Sequence, residues 1–282
     1  MSKIIAFIDG SIYSASICET AAWVAGRIDA PVEIIHLLGR AGAAPSDLSG
    51  QIELGARSAL MAELATLDEQ RAKLVAHRGR AILDDAAEIM ARAGVANVTT
   101  ELRQGELLET LAEREDDARV ILIGKRGVNA DMAMEHLGSN LERIVRAAKK
   151  PVLVCARAFK PVEKVLIAYD GGPSAMKAVD HLSRSPLFAG LKVLVVRVGA
   201  DSPMARRSLK DAQALLAAAG IEAETRLLPG SPDAVLGKLV EDEGFEMVVM
   251  GAYGHSRIRN LIIGSTTTAM IRSCKVPLLL MR

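Results

Sequence analysis

Short runs of apolar residues alternate along this chain with stretches whose apolar residues recur at helical spacing. The second half shows the rhythm most plainly. Lys164–Tyr169 is a short apolar run of β character, and a helical stretch follows Pro173, which suits a first helical turn. Lys192–Val198 reads as a second strand. The stretch from Ser202 has helical spacing and stops on Gly220. Ile221–Leu228 alternates like a third strand, and the next helix takes Ser231 as cap and Pro232 as first position. Met247–Met250 and Pro277–Met281 complete a set of five strands. Alternation of this kind predicts an α/β fold with a parallel sheet covered by helices on both faces. Strands so uniformly apolar fit burial from both sides.

The first half repeats the plan. "KIIAFIDG", Lys3–Gly10, answers "KVLIAYDG", Lys164–Gly171, and "VILIGKRG", Val120–Gly127, answers "VVMGAYG", Val248–Gly254. Each half then carries Gly-Ser, a helical segment, a proline and a last apolar run. A period of this size is a duplicated domain rather than a solenoid repeat. The polar, proline-containing stretch Ala156–Lys164 marks the boundary, which places domains at 1–157 and 160–282. The first domain holds extra residues at about 45–77, with an amphipathic helical pattern. An added packing helix is the simplest reading; a lid or a partner surface is the alternative.

Composition narrows the function. The formal net charge is +1, from 35 basic and 34 acidic residues, which argues against a general nucleic-acid binder. No apolar run approaches the ~20 residues of a membrane span, and the N-terminus does not read as a secretory signal. Cys18, Cys155 and Cys274 are odd in number and far apart, as expected of buried thiols in a reducing cytoplasm. A cytoplasmic location is therefore expected.

The candidate chemistry lies in "MGAYGHSRIRNLIIGSTTTAM", Met250–Met270. In an open parallel sheet, ligands sit beyond the carboxyl ends of the strands, where strand order reverses. Gly251 ends the fourth strand and Asp170 the first, so the two share a crevice if those strands are neighbours. Glycine permits close approach of a ligand to the backbone. Gly264-Ser265 opens the last helix, whose bare N–H groups suit a phosphate, and Thr266 and Thr267 add hydroxyls. His255, Arg257 and Arg259 lie in the same loop, with no acidic residue between Gly251 and Gly264. Taken singly, each of these residues is more simply a turn glycine or a helix cap; the whole set, in both halves and paired with Asp-Gly, is not.

Gly251-x2-Gly254-x9-Gly264-Ser265 resembles the adenine-nucleotide motif of the universal stress protein (UspA-like) family, and Asp170 matches its aspartate. The resemblance covers nearly the whole chain, twice over. It implies two tandem Rossmann-like, adenine-nucleotide α-hydrolase-like domains, each an open five-stranded sheet of order 3-2-1-4-5, with ATP in the crevice. By position, Asp170 and Val198 would border adenine and Met250 would line the floor. Gly251 and Gly254 would pass under ribose and phosphates, and Gly264, Ser265, Thr266 and Thr267 would bind phosphate. Magnesium, if it accompanies the triphosphate, could be held through water by a carboxylate or hydroxyl. The resemblance also implies pairing of the two fifth strands, Pro151–Ala156 with Pro277–Met281, as an internal pseudo-dimer. A further homodimer stays open.

The first half offers Asp9, Leu37, Gly124, Gly127, Gly138 and Ser139, but with ten residues rather than nine between its second and third glycines. It carries Asp131 and Glu135 in the loop, where a carboxylate would oppose phosphate. Asn140 and Leu141 replace two threonines. Competent binding is expected in the second domain and weak or no binding in the first. No P-loop, nucleophile elbow or zinc-protease motif occurs. Three functions remain: a nucleotide-binding stress-signalling protein with slow or no ATP hydrolysis, an enzyme that uses the adenylate, and a nucleotide-free scaffold.

Overall fold

The computed structural model describes residues 2–39, 54–127, 139–252 and 263–282. The first half runs β1 (Lys3–Ile8), α1 (Ser14–Ile28), β2 (Val32–Leu38), α2 (Leu54–Arg92), β3 (Val98–Gln104), α3 (Leu107–Arg114), β4 (Ala118–Gly124), α4 (Ser139–Ala147) and β5 (Val152–Cys155). The second repeats it as β6 (Lys164–Ala168), α5 (Pro173–Arg184), β7 (Lys192–Val198), α6 (Pro203–Ala218), β8 (Ala223–Leu228), α7 (Pro232–Glu243), β9 (Met247–Gly251), α8 (Ser265–Ser273) and β10 (Leu278–Met281). Local chemistry sets the helix starts. Pro173, Pro203 and Pro232 occupy first-turn positions, and Ser202 caps α6 by accepting from the Ala205 amide at 3.1 Å. Ser231 is the N-cap residue of α7 as expected, but its hydroxyl makes no cap bond to a backbone amide and donates to Asp233 Oδ1 at 2.5 Å.

Each half has the strand order third, second, first, fourth, fifth, with all neighbours parallel. The two sheets are not separate. β5 and β10 pair antiparallel, Leu279 opposite Leu153, and make one ten-stranded sheet in the order β3-β2-β1-β4-β5-β10-β9-β6-β7-β8. The reason is physical. All eight residues of these two strands are buried, so each would be an apolar edge with unpaired backbone groups without the other.

Alternate residues fill the two faces. Ile4, Ala6 and Ile8 pack with α1, α2 and α5 on one side, while Ile5 and Phe7 pack with α3, α4 and α8 on the other. Within the first half, Ser16 Oγ donates to Ala156 O at 2.5 Å. Further contacts cross the halves: Arg27 Nε donates to Leu187 O at 2.6 Å. Lys125 Nζ donates to the carbonyl of Cys274 at the end of α8, and Arg282 Nη1 to those of Arg146 and Ala147 at 3.3 and 3.4 Å, at the end of α4. Each half thus places a cation on the negative end of the other's last helix. The three cysteines are buried and unpaired, and burial pushes the Cys18 and Cys155 thiols up to about 12.

Of the added residues, those from Leu54 on are described, and they run on into the helix that crosses from β2 to β3, giving a single α2 of 39 residues against 16 in its counterpart α6. Gly79 lets this helix lie directly on the sheet. A Cβ there would stand 2.6 Å from Leu102 Cδ1 and 3.1 Å from His36 Cδ2.

Candidate functional site

The crevice of the second half forms where strand order reverses. β6 lies between β9 and β7, with Ala168 beside both Met250 and Val196, so the chain leaving β6 and the chain leaving β9 emerge side by side. Asp170 and Gly251 therefore border one crevice, as their positions suggested. The Asp170 carboxylate accepts the Gly172 amide at 2.7 Å, which shapes the turn into α5. Met250 is buried next to the end of β9 and Val198 half-buried at the end of β7.

Gly251 serves packing as well. A Cβ on it would fall 2.8 Å from Ser174 Cβ and 3.2 Å from the Ala175 amide, so the missing side chain admits the first turn of α5. Gly124 does the same for Tyr13, at 2.9 Å, in the first half. These two glycines are accounted for by helix-on-strand approach without any ligand.

Behind them, Gly264 holds an extended conformation as the residue before α8. Its amide donates to Ala252 O at 3.2 Å, so the free amides of this helix start begin at Ser265 rather than at Gly264. Ser265 is exposed and Thr266 half-buried. Thr267 departs from the expected role. It is buried, and its hydroxyl donates to Gly251 O at 3.1 Å, tying the first turn of α8 to the end of β9. The first-half counterpart Leu141 is likewise buried, which marks this as an inward position in both halves. Ser265 and Thr266 are left as the hydroxyls that face outward. Gly254, His255, Arg257 and Arg259 lie outside the described residues, as do Gly138, Asp131 and Glu135.

The first-half crevice is built on the same frame and furnished differently. Asp9 accepts the Ser11 amide at 3.0 Å, and Gly127 comes so near that a Cβ on it would stand 2.8 Å from Asp9 Oδ2. Leu37, one residue before the end of β2, is the counterpart of Val198 at the end of β7. Ser139 opens α4 as Ser265 opens α8. The difference lies above the Asp-Gly turn. Gly10 has φ +75°, and a Cβ on it would be 2.5 Å from Ile82 Cδ1, a side chain of α2. Gly171 has φ +82°, and the atom at 2.6 Å is instead Arg197 Nη1, which also donates to Ser208 Oγ at 2.6 Å. An apolar helix side chain covers one turn, and a guanidinium supports the other. At the position of Arg197 the first half has His36, buried, with Nδ1 2.9 Å from Ile8 O.

Ile82, Arg197 and Ser208 were not singled out in the sequence. Arg197 left a trace, as the one charged residue inside the apolar run Val193–Val198. Ile82 left none, because a half-buried isoleucine on an amphipathic helix looks like any other packing residue.

A groove of about 1010 Å³ lies at the opposite ends of the strands, bordered by Lys192, Glu224, Arg226, Glu243 and Phe245. Its arginine is paired with Glu243 at 2.5 Å, and it takes no part in the crevice. Among the described residues, no three His, Cys, Asp or Glu side chains gather to hold a metal ion. No helix there is long and apolar enough to cross a membrane.

A sequence model described as the Universal stress protein family matches residues 1–156 and again 161–282. The chain belongs to the universal stress protein family. This tandem universal stress protein is 36% identical to a universal stress protein of Synechocystis sp. over the full length of both chains. It is 23% identical to one from Mycolicibacterium smegmatis, over 98% of this chain and 95% of the relative. Among solved structures, a universal stress protein from Archaeoglobus fulgidus shares the fold with a TM-score of 0.73 at 19% identity, covering 100% of this chain and 99% of that one. A Pseudomonas aeruginosa protein follows at 0.64 and 14%, covering 100% and 92%.

Proposed function

We propose that this universal stress protein binds ATP, or another adenine nucleotide, mainly in the crevice of its second half. It acts there as a stress-response regulatory protein with slow or no hydrolysis. One observation carries the reading: the outward-facing start of α8, with Ser265 and Thr266, stands behind Gly251 at a strand-order reversal that also exposes the Asp170 turn. A helix start of this kind favours an anion through its unpaired amides and its dipole. Met250 and Val198 offer the apolar wall that a flat base needs. The Asp170 carboxylate or the Ser265 hydroxyl would hold a magnesium ion through water if the triphosphate brings one.

The first half supports the contrast. Ile82 overlies its Asp-Gly turn, and Asn140 stands in place of an outward threonine. Nucleotide occupancy in the second half would order the loop before α8 and change the surface offered to partners. Isothermal titration of the full chain with ATP tests this. A stoichiometry near one nucleotide per chain is expected; two equal tight sites, or no heat at all, would overturn it.

A further inference from the structure

The first half carries a surface that the second lacks. From Gly79 to Met90, α2 packs on β2 and β3, and its buried or half-buried residues are Gly79, Ile82, Leu83, Ala86, Ile89 and Met90. The preceding stretch rises past the ends of those strands by roughly 1.5 Å per residue. Much of its apolar side-chain surface is open to solvent: Met61 is 59% exposed, Leu67 54% and Leu74 71%, while Leu60 and Leu64 are half-buried. They are not scattered. Leu60, Leu64, Leu67 and Leu74 recur at intervals of four, three and seven, with Arg71 at the intervening position. That is the repeat of a helix seam that packs against another helix.

Charge along the same stretch is sorted by position. Residues 60–70 hold Glu63, Asp68 and Glu69 and no base; residues 71–80 hold Arg71, Lys73, Arg78 and Arg80 and no acid. All seven are exposed, and one acid and one base, Glu69 and Lys73, also pair within the helix at 2.7 Å. Two copies lying parallel would set acid against acid and base against base. Lying antiparallel, each acidic segment meets the basic segment of the other copy, twice over by symmetry. The seam is complementary to itself in one orientation only.

We infer that the projecting part of α2 pairs with α2 of a second copy of this chain, as an antiparallel two-helix seam centred near Gln70. This association is separate from the β5–β10 pairing inside each chain. It holds the first halves of two molecules together and leaves both second-half crevices free.

Sedimentation velocity on the full chain, from about 5 to about 100 µM, should show a dimer. The double variant Leu67→Glu/Leu74→Glu should be monomeric, with an unchanged circular dichroism spectrum and melting temperature, because both side chains already face water. Orientation is read from charge reversal. Glu63→Lys/Asp68→Lys, which spares the Glu69–Lys73 pair inside the helix, should weaken dimerisation by roughly tenfold, and adding Arg71→Glu/Arg78→Glu should restore it. A monomeric wild-type chain would leave the seam to a different protein and overturn the inference. A dimer indifferent to Leu67→Glu/Leu74→Glu would place the contact elsewhere. Failure of the fourfold reversal to recover dimerisation would rule out the antiparallel arrangement.

Discussion

The two Asp-Gly turns of this protein share a backbone and differ in what lies against them. At Gly10 the neighbour is Ile82, delivered by the long helix α2; at Gly171 it is Arg197, delivered by the strand β7. Both glycines have positive φ, and both would bring a Cβ into the neighbouring side chain. The same turn can thus be copied faithfully while the side chain set against it comes from an element that is not part of the motif. A glycine pattern reports the turn; it does not report what packs on it.

The comparison breaks most sharply at Gly264. Gly264→Val should reduce ATP affinity of the second half by roughly a hundredfold or more, since a branched side chain would crowd the approach to the α8 start. The melting temperature without ligand should stay within a few degrees. Unchanged affinity in titration calorimetry would mean that the helix start is not the anion site.

Next come the two turns. Gly10→Ala and Gly171→Ala each force alanine into left-handed backbone, at about 1–2 kcal/mol. Gly10→Ala should cost more in urea unfolding, because Ile82 belongs to a packed helix. At Gly171 the near atom is the tip of a flexible arginine, which can swing aside. Only Gly171→Ala should also weaken ATP binding, through displacement of Arg197. Equal effects of both variants on ATP affinity would remove the distinction between the crevices.

Smaller effects separate Thr267 from Ser265. Thr267→Val loses a buried hydrogen bond and should cost about 1 kcal/mol of stability, with affinity following only weakly. Ser265→Ala should leave stability unchanged and reduce affinity several-fold. The reverse pattern would return Thr267 to the phosphate.

A pH-dependent effect, separate from the two crevices, concerns Lys125. Burial pushes its ammonium down from the usual 10.5 to about 8, more than the neighbouring Cys274 thiol offsets. Between those two values the unfolded chain keeps a proton that the folded chain has released, so this residue adds stability as pH rises through the window. Wild-type stability relative to Lys125→Met should climb by roughly 2 kcal/mol from pH 8 to pH 10.5, measured by denaturant unfolding. A flat difference would mean that the lysine is solvated.

Much of this was legible in the sequence, for identifiable reasons. The alternation of apolar runs with helical spacing, repeated twice, specified the elements and their order within each half, because strand and helix periods differ and both faces of the sheet are buried. Asp170 and Gly251 could be placed in one crevice only if the first and fourth strands are neighbours, an order that the family resemblance supplied. The rest depends on direction rather than pattern. Nothing in "STTT" tells which hydroxyl turns inward; α8's contact with β9 decides it for Thr267. Nothing in the added residues tells that they continue a helix, since the same periodicity suits two helices or one. Side-chain cover such as Ile82 over Gly10 depends on where α2 lands, which is a property of the folded sheet.

The seam between β5 and β10 has one more implication. In an assembly of two identical chains, every substitution occurs on both sides, so closing one pocket closes the other. Joining the halves covalently across this seam relaxes that constraint: Ile82 can lie against the first turn and Arg197 against the second, without disturbing the strands that hold them together. Covalent linkage is what permits an asymmetric molecule on a symmetric scaffold.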